Sequence, residues 1–179
     1  MPMNLLKRYP DLLEILHLND IERKKSLMGV YKRDIEDNPD FRFRGKQIYP
    51  VKSDGVVDMG RQFTHLTCEE VEEEDESGRI FVKRIFEKDR SQRLHWIRHH
   101  VEEHIPASIE VFSIKERDSR KREDVYRTYI YDVLHKYIIV LEVQRNTGSY
   151  YLLTAYYLNR DYAEKGLKKK MKKRLSEVL

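Results

Sequence analysis

Between residues 108 and 158 the chain repeats one pattern four times: an alternating apolar stretch, then a polar or glycine-containing break. Alternation with a period of two is the mark of a strand with two distinct faces. The stretches 108–116, 125–133, 136–144 and 150–158 are therefore expected to be strands. The charged segment Glu116 to Asp124 joins the first pair, and Asn146-Thr147-Gly148 supplies a turn between the last pair. In the third stretch Tyr137, Ile139, Leu141 and Val143 fall on one face and Ile138 and Val140 on the other, the pattern of a central strand covered on both sides. In the fourth, strict alternation groups Leu152, Thr154 and Tyr156 against Leu153, Ala155 and Tyr157. Short connections make the sheet antiparallel.

Helical signals flank this block. Leu5, Leu12, Leu13, Ile15 and Leu16 suggest a short first helix interrupted near Pro10, and Asn19 or Asp20 can cap a second helix running to about Asp37. Phe41 to Tyr49 alternates around Gly45 as a hairpin does, and Ser53-Asp54-Gly55 marks a turn. Cys68 to Glu76 holds seven acids in nine residues, which reads as a self-repelling solvated loop. Ile80-Phe81-Val82 begins a short strand. Asp89 or Ser91 can cap a helix to about His104, stopped by Ile105-Pro106. Asn159 or Asp161 caps a final basic helix, 165–179. The expected fold is α+β: N-terminal helices, then a helix packed on a four-stranded antiparallel sheet, with a basic C-terminal helix. The acidic run divides it into an N-terminal region, 1–78, and a second domain, 79–179.

A chain of 179 residues suits one ordinary domain or a compact domain with an appendage. The single cysteine, Cys68, excludes a disulfide scaffold. Aromatic residues at 11% argue against disorder. No apolar run approaches the roughly 18–20 residues of a membrane span, and the first residues lack a signal-peptide core, so a cytoplasmic protein without a membrane partner is expected. The net charge of +4 conceals segregation: seven acids lie within 68–76, while Lys168 to Arg174 holds six basic residues in seven.

Four of the seven histidines lie in Arg93-Leu94-His95-Trp96-Ile97-Arg98-His99-His100-Val101-Glu102-Glu103-His104. On a helical wheel Leu94, Ile97, Val101 and Ile105 form the apolar face, with His100 and His104 on one flank and His95 and His99 on the other. Imidazoles titrate near neutrality and serve as general acids and bases, as metal ligands, or simply as polar surface. HExxH and CxxC are both absent, so neither a metal nor another cofactor is expected. Arg117 to Arg122 and Lys168 to Arg174 could track a phosphate backbone; they could equally be a solvated loop and the outer side of a helix. Arg120, Lys121, Arg122, Lys169, Lys170 and Lys173 are the candidate RNA contacts.

Ile97-Arg98-His99-His100, the 136–144 strand and Leu153-Thr154-Ala155-Tyr156 together resemble the phage-associated barnase, EndoU, colicin and RelE-like nuclease superfamily, over residues 79–175. The resemblance implies a toxin-like, metal-independent endoribonuclease with its site on the sheet. It assigns the catalytic positions to His99 or His100, Arg127, Thr154 and Tyr156. It also implies RNA, tRNA included, as substrate and a cognate inhibitor protein as a partner. The alternative is a non-catalytic RNA- or protein-binding module of a phage or mobile element.

Overall fold

The computed structural model describes residues 3–53, 55–104 and 108–179. Ten strands and five α-helices follow in chain order: α1 (Asp20–Tyr31), β1 (Arg42–Phe43), β2 (Lys46–Pro50), β3 (Lys52–Ser53), β4 (Val56–Val57), α2 (Met59–Thr67), β5 (Cys68–Glu74), β6 (Ile80–Phe86), α3 (Lys88–Ser91), α4 (Trp96–Val101), β7 (Ile109–Asp118), β8 (Glu123–Asp132), β9 (Tyr137–Gln144), β10 (Ser149–Tyr157) and α5 (Asp161–Met171). A 3₁₀ turn at Met3–Leu6 precedes α1, and a π-helical turn, Lys32–Glu36, extends it.

The main sheet has six strands in the order β1-β2-β10-β9-β8-β7. This corrects the expected four-stranded antiparallel sheet. The β7 to β10 meander is antiparallel, but β2 adds to β10 in parallel, with Tyr150 opposite Ile48 and Leu152 opposite Pro50, so the sheet is mixed. A parallel pair needs a long crossover. Here everything from β3 to β9 supplies it, and no local pattern announces so distant a pairing. β5 and β6 form a separate antiparallel hairpin, as do β3 and β4.

Each sheet face has its own core. On the first, Ile130, Ile139, Leu141, Tyr150, Leu152 and Ala155 pack with Leu13, Ile15, Val30, Phe43, Leu94, Trp96 and Ile97. On the second, Phe112, Ile114, Tyr129, Tyr131, Ile138 and Val140 pack with Leu158 and with Leu167 of α5. The first core draws on both sides of residue 78, and the position 78/79 itself falls in the turn between β5 and β6.

Four local expectations change. The N-terminal leucines form no regular helix beyond the 3₁₀ turn. Instead Leu13 and Ile15 are driven fully into the core, and the Leu13 amide donates to the Gln92 carbonyl. The acidic run is a strand, not a loop, because β6 pairs along its whole length and sets Lys83 against Glu73 and Arg84 against Glu70, each at 2.5 Å. The single helix expected from Asp89 or Ser91 to His104 is two short helices, α3 and α4, and Glu87 caps α3 by accepting from the amides of Asp89 and Arg90; the expected stop at Ile105-Pro106 lies outside the described residues, as does Asp54 of the expected turn. The basic helix ends at Met171, and Arg160 occupies its N-cap position. Asn19 does cap α1, in a reciprocal capping box with Glu22.

Candidate histidine cleft

α4 lies against the first face of the sheet with its apolar side, Trp96, Ile97 and Val101, buried in the core. His100 shares that side. Its Nδ1 meets the Trp96 carbonyl at 2.6 Å and its Nε2 meets Asp132 Oδ2 at 2.8 Å. Both partners are acceptors, so both ring nitrogens are committed and neither is free for a substrate. Asp132, at the end of β8, is completely buried and acts as a hub. The Tyr9 hydroxyl donates to its Oδ2 at 2.6 Å, and the His135 amide donates to its Oδ1 at 3.0 Å. Burial pushes the carboxyl's pKa up, but the hydrogen bonds from His100, Tyr9 and the His135 amide outweigh that and hold it well below the ordinary aspartate range. Tyr9 also contacts His135 Nδ1 through its hydroxyl. Burial and the adjacent Asp132 carboxylate raise the phenol's pKa.

His99 takes the outward side of the same helix. Its ring lies flat on Tyr9, with centroids 4.5 Å apart and planes 11° from parallel. Glu103 adopts φ of +52°, and the chain turns back so that the His104 amide bonds the His99 carbonyl and the two imidazoles meet edge to face at 5.1 Å. This reversal is why His104 joins His99 instead of His100, contrary to the continuous wheel. His95 begins the helix, 4% exposed, with its ring facing the backbone of Arg8 and Asp11.

His95, His99 and His104 line one cleft of about 480 Å³. Lys7, Arg8, Arg33 and Arg98 supply four permanent cations to it, against the carboxylates of Asp34 and Glu102 in its wall and of Glu14, which pairs with Lys7 at 2.5 Å. Arg33 grips buried Asp34 with a two-pronged contact, 2.6 Å on each side, and Arg98 reaches the same carboxylate at 3.6 Å while bonding Glu102 at 2.7 Å. Arg8 is exposed and makes no ion pair among the described residues. Burial lowers the His95 pKa to about 4, with the charge of Arg33 acting in the same direction. Burial, then the neighbouring His100 and His104, lowers His99 to about 4. Both imidazoles are neutral at pH 7. Among the described residues no group of three His, Cys, Asp or Glu is placed to hold a metal ion.

No protein-family model, curated protein or solved structure matches the chain. The residues therefore have to speak through their own placement.

The five positions singled out as catalytic do not converge. His99 and His100 serve the first face. Arg127, Thr154 and Tyr156 belong to the second, where Thr154 pairs with Val140 and Tyr156 with Ile138, both members of the second core. The cause in β10 is a bulge between Leu152 and Thr154, which turns Leu152 to the side of Ala155 and Tyr157 and corrects the strictly alternating grouping. Arg127 is spent on Asp118 at 2.8 Å and Glu116 at 3.3 Å. Burial raises the Tyr156 hydroxyl's pKa.

The six candidate RNA contacts divide in two. Lys121 pairs with buried Glu142, and Lys170 pairs with Glu116 while donating to the Tyr129 hydroxyl. Arg120, Arg122, Lys169 and Lys173 are exposed to solvent. The residues that sequence reasoning missed are Lys7, Arg8, Tyr9, Arg33 and Arg98 in the cleft, and Asp132 and His135 in the network behind it. Asp132 carried the one available signal: an acid ending a strongly apolar strand, three residues before a histidine.

Proposed function

We propose that this chain is an endoribonuclease that seats the phosphate backbone of RNA in the histidine cleft and uses His99 as its base. The observation that carries the reading is the cleft itself: Arg8, with no ion pair among the described residues, and three ion-paired cations, Lys7, Arg33 and Arg98, around an imidazole that burial keeps neutral. Guanidinium forks suit phosphate oxygens, and a neutral imidazole can accept a proton. In the proposed reaction His99 takes the proton of the ribose 2′-hydroxyl, whose oxygen attacks the adjacent phosphorus. The bond to the 5′-oxygen breaks, His104 returns a proton to that oxygen, and a 2′,3′-cyclic phosphate remains. Arg33, Arg98 and Arg8 stabilise the extra negative charge of the pentacovalent state. Arg127, Thr154 and Tyr156 have no part in this scheme.

The test is incubation of tRNA and total RNA with purified protein in EDTA. The expected products end in 2′,3′-cyclic phosphate, and His99→Ala is expected to slow their formation about 10²–10⁴-fold. Intact RNA at excess protein, or unchanged cleavage by His99→Ala, would refute it. A second reading, RNA binding without chemistry, draws on the Arg33–Asp34 grip, which ties one fork of the cleft to a carboxylate. It predicts salt-dependent binding with no cleavage.

A further inference from the structure

A second cavity, of about 220 Å³, lies where β10 ends and α5 begins, and Tyr156, Tyr157 and Tyr162 line it. Arg90 and Arg160 are matched in its wall by Glu69 and Glu87, so it carries no net charge to favour a phosphate. Part of the polar lining is already committed. Arg90 Nη1 donates to the carbonyls of His65 and Cys68 at 2.7 and 3.0 Å, Glu87 accepts from the Asp89 and Arg90 amides, and Arg160 Nη1 donates to the Tyr162 hydroxyl at 2.8 Å. The rest is not. The Tyr156 hydroxyl, the Asn159 carboxamide and the Glu69 carboxylate make no hydrogen bond or ion pair among the described residues, and all three line the cavity.

Together these groups offer a hydroxyl, a carboxamide that both donates and accepts, and a carboxylate acceptor, beside aromatic rings. That set complements a flat, uncharged heterocycle with polar groups along its edge. An unpaired nucleobase stacks on aromatic side chains and is read along its edge by such groups. A carboxamide makes a two-pronged pair with adenine, and a carboxylate accepts from the exocyclic amine of cytosine. The cavity is also joined to the histidine cleft. Arg93 lies 4.0 Å from the centre of the Tyr157 ring and 5.2 Å from that of Trp96; Trp96 meets Tyr9 at 4.9 Å, and Tyr9 carries His99 at 4.5 Å. Cavity and cleft are therefore within reach of one short strand of RNA.

We infer that the cavity at the end of β10 binds an unpaired RNA base that carries an exocyclic amine, with Asn159 and Glu69 reading its edge and Tyr156 and Tyr162 holding its ring. The inference rests on the reading of the chain as an RNA-cleaving enzyme, but base binding needs no cleavage and is measured apart from it.

Adenosine, cytidine and uridine, all free of phosphate, are titrated separately into the full chain at millimolar concentrations and followed by NMR. Adenosine and cytidine are expected to give saturable shifts at the amides of Tyr157, Asn159 and Ala163, and uridine to bind about tenfold more weakly. Asn159→Ala and Tyr162→Ala, both at exposed positions, should each weaken adenosine binding about tenfold while the remaining amides keep the wild-type pattern. A protein that binds these nucleosides yet leaves RNA intact would fail as a nuclease and keep this site. No saturable shift with any nucleoside, uridine binding as tightly as adenosine, or wild-type adenosine affinity in both variants would overturn the inference.

Discussion

His95 should make this protein sensitive to acid well before its carboxylates titrate. In the unfolded chain the imidazole takes its proton near pH 6.5; in the folded protein burial delays this to about 4. The folded state thus favours the neutral ring. Its contribution is fully present above pH 6.5 and is lost as pH falls through the interval down to about 4. At about 1.4 kcal/mol per pH unit the whole displacement corresponds to about 3 kcal/mol, and at pH 4.5 about 2.5 kcal/mol of it is gone. The low exposure of His95, 4%, means solvent screening removes little of this. His65 and His99 are displaced in the same direction, so the wild-type slope should exceed that of one site. Urea denaturation at several pH values between 4.5 and 7.5, followed by Trp96 fluorescence, measures it. His95→Leu, similar in volume and without a titrating group, should flatten the profile by about 2.5 kcal/mol across the range while leaving the contribution of the other histidines. A His95→Leu protein with the same pH slope as wild type would refute the reasoning.

Asp132→Ala is expected to destabilise the fold by about 3–5 kcal/mol in the same urea assay, because it strips the buried His100 of its carboxylate partner. Tyr9→Phe, which removes only the hydroxyl bonded to Asp132, should lose about 1.5–3 kcal/mol and leave the stack on His99 in place. Lys121→Ala should lower stability by about 1–3 kcal/mol by leaving Glu142 short of its cation, with RNA affinity in a filter-binding assay unchanged. Arg120→Ala with Lys169→Ala should do the reverse: unchanged stability, and a smaller dependence of RNA binding on salt.

The meander from β7 to β10 was legible because each strand alternates and each connection is short. β9 shows why: its two apolar sets, Tyr137, Ile139 and Leu141 against Ile138 and Val140, map directly onto the two cores. The bulge in β10 was not legible, since a one-residue irregularity leaves composition untouched yet exchanges faces for every residue beyond it. That single slip carried Thr154 and Tyr156 away from the histidines. β2 was recognisable as a strand, but its parallel partner lies about a hundred residues away, and sequence pattern contains no such distance. The histidines were conspicuous. Which of them could act was not, because that depended on Asp132 claiming His100 and on Glu103 folding His104 back to His99.

Charge illustrates the same difficulty, and it bears on where RNA should bind. The two charge runs dominate the sequence, and in the fold each is answered in part by its neighbours. Lys83 and Arg84 of β6 sit across from the acids of β5, Glu164 pairs with Lys168, and Glu116 pairs with Lys170. The positive charge gathered around a concave surface comes from elsewhere: Lys7, Arg8, Arg33 and Arg98, no three of them within one short stretch of sequence, of which Lys7, Arg33 and Arg98 are paired with Glu14, Asp34 and Glu102 while Arg8 makes no ion pair among the described residues. A run of lysines on an exposed helix attracts polyanions without orienting them. A cleft that sets guanidinium groups beside a neutral imidazole fixes a phosphate relative to a proton acceptor, which is the geometric requirement for cleavage. Substitutions in the cleft should therefore change the rate and product pattern of RNA cleavage, while substitutions in the basic run should change only how binding responds to salt.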